Sequence, residues 1–275
     1  MTVENYKYGD TLLSVKDVSV SYGGVPILRD LNLEIKNLIR PGYTQGQVVG
    51  LLGPSGIGKS TLFRLLSGVD VPDKGTVEID KERRTVERGM VGVVAQHYPL
   101  FAHRTVHSNM MIAGKKAKLS GADADRKCKA FLKRFGLEEQ ANKYPVQLSG
   151  GQRQRVAIAQ QFMCSDHFLL MDEPFTGLDM LAEERLCEFI VEMAQSDELN
   201  TIVIITHDIS AALSICDTVW LMGRDRDPQG NIIPGARIQK TFNLIDRGVA
   251  WESGNTSRPE FLQLLGEIRA LFPHL

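Results

Sequence analysis

No run of apolar residues in this chain approaches the roughly 18–20 that a membrane-crossing helix needs. The first ten residues are polar, so no secretory leader is expected. An excess of one charge is also missing: 32 Lys and Arg stand against 33 Asp and Glu. A net charge of −1 gives no reason to expect nucleic acid or an anionic membrane surface as a partner. Cysteine is sparse. Cys128, Cys164, Cys187 and Cys216 are scattered without a C-x-x-C pair and read as reduced, partly buried thiols of a cytosolic protein. Internal repeats and low-complexity segments are absent. What is present is apolar bulk: 43% of 275 residues, ample for a packed core of one or two domains.

Gly53, Pro54, Ser55, Gly56, Ile57, Gly58, Lys59, Ser60 and Thr61 contain the spacing G-x-x-x-x-G-K-[ST]. An apolar run at 48–52 precedes them and reads as a buried parallel strand. Leu62, Leu65 and Leu66 follow at helical spacing. Strand, glycine loop and helix in that order favour a phosphate loop over a chance turn. Its glycines let backbone N–H groups converge on phosphates, and the helix start adds its positive end. Lys59 is expected at the β- and γ-phosphates of a nucleoside triphosphate, and the Ser60 hydroxyl on magnesium.

Asp172 closes the apolar run 168–171, which delivers a carboxylate to the C-terminal end of a buried strand. Adjacent carboxylates usually only solvate a strand end. The apolar run before them, and Pro174, Phe175, Thr176, Gly177, Leu178 and Asp179 after them, point instead to Asp172 as a magnesium ligand. Glu173 is then the residue to polarise an attacking water.

Leu148, Ser149, Gly150, Gly151 and Gln152, continued by 153–159, complete an ordered set. With them the chain resembles the ATP-binding subunits of ATP-binding cassette (ABC) transporters. The resemblance covers about 13–223. It implies an α/β fold: a phosphate-loop NTPase core of the ABC ATPase type with an antiparallel β edge and an inserted helical subdomain. The core would take 12–96 and 162–223, the helical subdomain about 97–161, and a C-terminal extension 224–275. Further roles are implied residue by residue. Tyr22 resembles the aromatic that stacks on adenine, although a lone Tyr in a strand is ordinarily packing. Gln96 resembles the glutamine that senses magnesium and faces the membrane subunits. Ser149, Gly150, Gly151 and Gln152 would serve nucleotide held by the other subunit of a head-to-tail dimer, and Asp179 would work across that interface. His207 resembles the switch histidine on the γ-phosphate, where a single His at a strand end is otherwise structural.

The resemblance therefore implies ATP and Mg2+, a second copy of the chain, transmembrane permease subunits and a periplasmic or extracellular solute-binding protein. It places the chain peripherally on the cytoplasmic face of the inner membrane. Tyr144, Pro145, Val146 and Gln147, with 99–101 and 105–109, resemble bacterial importers, nearest to the nitrate, sulfonate and taurine group. An exporter or lipid-handling system and a non-transport cassette protein are the alternatives. A phosphate-loop kinase would have no use for 148–152. Three departures stand out: a long 37–47 before the phosphate-loop strand, Gln160 and Gln161 where an arginine is common, and the long tail after Gly223.

Strands are expected at 12–22, 32–35, 48–52, 76–79, 89–95, 168–171, 202–206 and 219–222, and helices at 106–113 and 124–135. The sequence 227–231 reads as a hairpin turn. Ser257 to Glu260 fits a capping box before a terminal helix. The charged run 81–88 reads as a solvated face. His97, His103 and His107 are spaced poorly for a metal site, and a loop facing a membrane partner is the better reading.

Overall fold

The structure is a computed structural model that describes residues 6–95, 99–165, 167–251 and 255–275. One mixed sheet organises it. Its strands are β1 (Lys7–Tyr22), β2 (Val25–Ile39), β3 (Gln47–Leu52), β4 (Lys74–Ile79), β5 (Arg84–Thr85), β6 (Gly92–Val94), β7 (Phe168–Asp172), β8 (Thr201–Thr206), β9 (Thr218–Arg226) and β10 (Ile232–Asn243). They lie in the order β5-β4-β1-β2-β10-β9-β3-β8-β7-β6. The half from β9 to β6 is parallel. The half from β5 to β2 is antiparallel.

The parallel strands are continuous apolar runs because both of their faces are covered. In β8, Ile202 and Ile204 join the core on one face, and Val203 and Ile205 join the core on the other. Strands β3, β7 and β9 divide their side chains in the same way: Val48 and Leu52 face one core, Val49 and Leu51 the other. Helix α1 (Lys59–Leu66) sits with the antiparallel strands on the second face. The first face carries α2 (Val106–Lys116), α3 (Gly121–Arg134), α4 (Gly150–Cys164), α5 (Met180–Ala194), α6 (Ile209–Ile215) and α7 (Pro259–Leu271).

Several expectations need correcting. The strand expected at 32–35 is the middle of the fifteen-residue β2, which runs on through 37–39. Of the long 37–47 stretch, only 40–46 lies outside strands. The strand expected at 89–95 shrinks to β6, because Met90 N–H turns back onto the Glu87 carbonyl (3.2 Å). In the tail, β10 pairs with β9 and touches β2 through Ala236 and Leu28, so it closes the gap between the two halves of the sheet. The hairpin turn does fall at 227–231, where Asp227 Oδ1 accepts from the N–H groups of Gln229 (2.9 Å) and Asn231 (2.8 Å). The terminal helix starts differently. Arg258, not Ser257, occupies the cap, with no side-chain cap bond among the described residues. Pro259 replaces that bond as a start signal, since its fixed φ suits the first helical position and it has no N–H to satisfy there.

The tail is also locked from inside. Asp217, between α6 and β9, exchanges backbone bonds with Val48 and Leu244. Its carboxylate accepts from Val48 N–H (2.7 Å) and from the Trp251 indole N–H (2.5 Å). Burial pushes this carboxyl up to about 7, although both donors and the Arg40 charge pull the other way. Arg40 lies over the rings of Tyr43 (4.1 Å) and Trp251 (4.3 Å), so the 40–46 loop and the tail close over the same spot.

Candidate nucleotide site

Strand β3 ends at Leu52, and the loop 53–58 turns directly into α1. Two glycines make the turn possible. A Cβ on Gly53 would lie 2.8 Å from the Met222 carbonyl oxygen. Gly58 caps α1 at φ +113, a conformation that side chains other than glycine's rarely tolerate. No side chain caps α1 among the described residues, and its first turn holds no acid. The N–H groups of that turn therefore keep their positive end for an anion.

Lys59 is buried and folds back on its own loop, donating from Nζ to the carbonyls of Gly53 (2.8 Å) and Pro54 (3.0 Å). Burial lowers its pKa, and the nearby charges of Glu173 and Asp172 oppose that shift. Helix α1 packs against β7, whose last residue is Asp172. Burial raises the Asp172 pKa, the Glu173 charge adds to the rise, and Lys59 opposes it. Two carboxylates thus share a half-buried place with one lysine. Ser60 is exposed at the start of α1. A hydroxyl and a carboxylate form the hard oxygen set that magnesium accepts, with water and phosphate filling the rest. Among the described residues no cluster of three or more His, Cys, Asp or Glu could hold a metal alone. The donors fit an ion that arrives with phosphates rather than one held by the protein unaided.

Glu173 has φ +48, in the left-handed region, where a non-glycine residue stays only when its surroundings impose it. They do. Its N–H donates to the Ile205 carbonyl (2.8 Å) on β8. Its Oε2 accepts from the Thr206 hydroxyl (3.1 Å) and lies 2.9 Å from His207 Nδ1. His207, just past β8, is mostly exposed; Thr206 is wholly buried. The expected residues Lys59, Asp172, Glu173 and His207 therefore gather where β3, β7 and β8 end side by side.

Tyr22 stands at the end of β1 in the hairpin to β2, with half of its surface exposed and its hydroxyl 3.4 Å from Asp70. The same hairpin leads to Ile27 and Leu28, which border Gly58, so the tyrosine lies on the phosphate-loop side of the sheet. Ile57 and Thr61 are buried and hold the loop to the core. Gln96 and His97 lie outside the described residues. His107 Nε2 lies within hydrogen-bond distance of Asp125 Oδ1 (2.8 Å), which gives that histidine a partner within the helical region.

The signature residues are elsewhere. Ser149 caps α4 and Gln152 completes a capping box: Ser149 Oγ accepts from Gln152 N–H (3.2 Å), and Gln152 Oε1 accepts from Ser149 N–H (3.0 Å). Ser149, Gly151 and Gln152 open onto a cleft of about 620 Å³ shared with Phe135, Arg155 and Arg185, and no phosphate-loop residue lines it. Within one chain they do not complete the nucleotide site. Asp179 caps α5 through Ala182 N–H (2.9 Å).

Two residues escaped the sequence reading. Gln154, buried in α4, donates to the Pro174 carbonyl (3.0 Å) and so ties the signature helix to the segment after Glu173. Thr206 read only as strand. Gln160 and Gln161, noted as departures, brace α4: Gln160 donates to the Asn109 carbonyl (2.9 Å), and Gln161 accepts from Val93 N–H (3.1 Å).

The ABC transporter family model matches residues 39–176. The chain is 35% identical over 218 residues to the sulfate/thiosulfate import ATP-binding protein CysA of Mesostigma viride, covering 78% of this chain and 60% of that one. It is 36% identical to the probable sulfate/thiosulfate import ATP-binding protein CysA of Chlorella vulgaris, covering 76% of this chain and 86% of that one. The chain spans about three-fifths of the length of the CysA proteins of Mesostigma viride and Synechocystis. Among solved structures it matches cbiO1 from Clostridium perfringens, part of the ABC transporter complex cbiONQ, at TM-score 0.73 and 27% identity, over 95% of this chain and 100% of that one. It also matches the dimeric, post-hydrolysis ATP-binding cassette MJ0796 bound to ADP and Pi, at TM-score 0.66 and 27% identity, over 85% of this chain and 99% of that one. The glycine loop, the paired carboxylates at strand ends and the capped signature helix thus have one common explanation: the chain belongs to the ABC transporter family, among its ATP-binding subunits.

Proposed function

We propose that this chain binds ATP with magnesium and hydrolyses it to drive import of a small solute, as one half of a head-to-tail dimer docked on permease subunits. The observation that carries the reading is the hold on Glu173, next to Asp172 and facing Lys59 at the strand ends. Lys59 would leave the carbonyls of Gly53 and Pro54 for phosphate oxygens, exchanging neutral acceptors for charged ones. Ser60 and Asp172 would hold magnesium, which when bound supplies charge neutralisation on the phosphates. Glu173 would take a proton from the attacking water, and His207 would turn from Glu173 towards the γ-phosphate. Ser149 of a second copy would complete the site, because its own chain leaves it on a separate cleft.

The relatives' names favour a small oxyanion as the solute. That class holds both the sulfate and thiosulfate of those names and the nitrate and sulfonate of the group expected from the sequence. A solute-binding protein outside the membrane would select it, and this chain would sit at the inner face of the cell membrane. The docking face is proposed at 99–109. Buried Asn109 accepts from Phe101 N–H (2.8 Å) and donates to the carbonyls of Phe101, Arg104 and Thr105 (2.9–3.2 Å). The loop is thus rigid while Phe101 stays half exposed.

Glu173→Gln is expected to keep ATP affinity and lose turnover at least about 100-fold, trapping a nucleotide-bound dimer. Near-normal phosphate release by that variant would remove Glu173 from the role. Charged replacements at Leu100 and Phe101 are expected to spare ATP binding and abolish co-purification with the permease. Crosslinks placing the permease on 257–275 would move the docking face to the tail.

A further inference from the structure

We propose that Thr206 is a positioning residue for ATP hydrolysis: from the end of β8 its hydroxyl fixes the carboxylate of Glu173 so that one oxygen faces the attacking water. The inference rests on the reading that Glu173 is the base. It goes beyond that reading by assigning work to a residue that no phosphate-chemistry motif contains.

The hydroxyl has one proton to give, and its neighbours decide where that proton goes. Asp208 N–H donates to Thr206 Oγ1 (3.1 Å) and so occupies its acceptor side. Its own proton is left for Glu173 Oε2, 3.1 Å away. Thr206 is fully buried at the end of β8, and its branched Cβ limits rotation. This donor is therefore fixed before any substrate arrives. His207 meets the same Oε2 (2.9 Å), but 61% of its side chain is exposed and its ring has room to swing. Both partners engage Oε2, which leaves Oε1 as the oxygen for water. When His207 leaves for a phosphate, Thr206 is the partner that remains.

The backbone makes such a hold necessary. Glu173 follows the last residue of β7 at φ +48, and its N–H is tied to the Ile205 carbonyl (2.8 Å). Asp172 is in register with Ile205, so β8 runs beside the whole turn. A glutamate side chain has three rotatable bonds beyond this anchor. Without a second point of attachment its carboxylate would sample several places, and proton transfer tolerates little misplacement.

The test uses the full chain with Mg-ATP and measures nucleotide affinity, steady-state turnover and the thermal midpoint. Thr206→Val keeps the branched shape and removes the hydroxyl. Its turnover is expected to fall about 10–100-fold while ATP affinity stays within about twofold. Thr206→Ser restores the hydroxyl and is expected to return turnover to within about threefold of the parent. If Thr206→Val does not fold, Thr206→Ala against Thr206→Ser makes the same comparison. Normal turnover in the hydroxyl-free variant would overturn the proposal. So would equal losses in the Ser and Val variants, or a loss of ATP affinity that accounts for the lost turnover. The underlying reading fails separately. If Glu173→Gln turns over normally, Glu173 is not the base; if Glu173→Gln is dead and Thr206→Val is normal, only the role of Thr206 is wrong.

Discussion

Two helix N-termini in this molecule carry the same partial charge and are finished in opposite ways. Helix α1 begins at Gly58 with no side-chain cap and no acid in its first turn. Helix α4 begins at Ser149 with a reciprocal capping box. The first leaves its donors without a side-chain cap, and its lysine rests on the carbonyls of the preceding loop. The second satisfies two donors internally and leaves the Ser149 hydroxyl proton for an outside acceptor. The difference supports the proposal that α1 holds the nucleotide of its own chain, whereas α4 acts on one brought to it by a second copy.

The strongest attempt to break this contrast pairs Lys59→Ala with Ser149→Arg. Lys59→Ala should weaken ATP binding at least about 100-fold, close to 3 kcal/mol. Ser149→Arg should leave ATP binding by the single chain intact and cut turnover of the dimer about 10–100-fold. Titration calorimetry decides: equal losses of affinity would put both N-termini in one intrachain site.

A smaller effect should separate the anchors of the two regions. Strand β3, which carries the phosphate loop, is tied at its start to Asp217, while α4 is held by the neutral side chains of Gln154, Gln160 and Gln161. The folded pKa of Asp217 is about 7, above the ordinary 3.8. Between those values the native state keeps a proton that the unfolded chain has lost. The stabilisation is full below about pH 4 and is lost as pH rises towards 7. From pH 5 to 8 the parent should lose roughly 2–3 kcal/mol relative to Asp217→Asn in urea unfolding. Parallel pH curves for the two proteins would discard the assignment.

The smallest expected effect sharpens the contrast from the other side. Ser149→Ala removes a cap and should cost about 1 kcal/mol of stability. Gly58→Ala removes no cap bond, yet it should cost ATP affinity as well as stability, because at φ +113 a Cβ is strained and meets Ile27 and Leu28 at 3.2 Å. Thermal midpoints beside ATP affinity separate the two kinds of loss.

The residues that announce themselves in the chain are those whose job is set by near neighbours. The glycines of 53–58 must turn a strand into a helix within six residues, and Asp172 must close an apolar strand, so spacing alone exposes both. The motif order carried the family. The parallel strands were legible because burial on both faces demands unbroken apolar runs. Strand β10 was harder, because Ile232–Asn243 is half-exposed and mixed in polarity. Only its partners β9 and β2 make it interior.

By itself the sequence determined the phosphate loop, the carboxylate pair, the signature helix and the strands between them. Each is a local pattern that forces a local backbone. Tertiary structure decided three further things: that the tail closes the sheet, that Lys59 rests on its own loop, and that Glu173 is gripped by residues 33 and 34 positions away. A hydrogen bond across strands depends on register and burial, and neither is written in the spacing of either partner. A threonine in a strand looks the same whether its hydroxyl packs idly or holds a carboxylate at the end of the neighbouring strand.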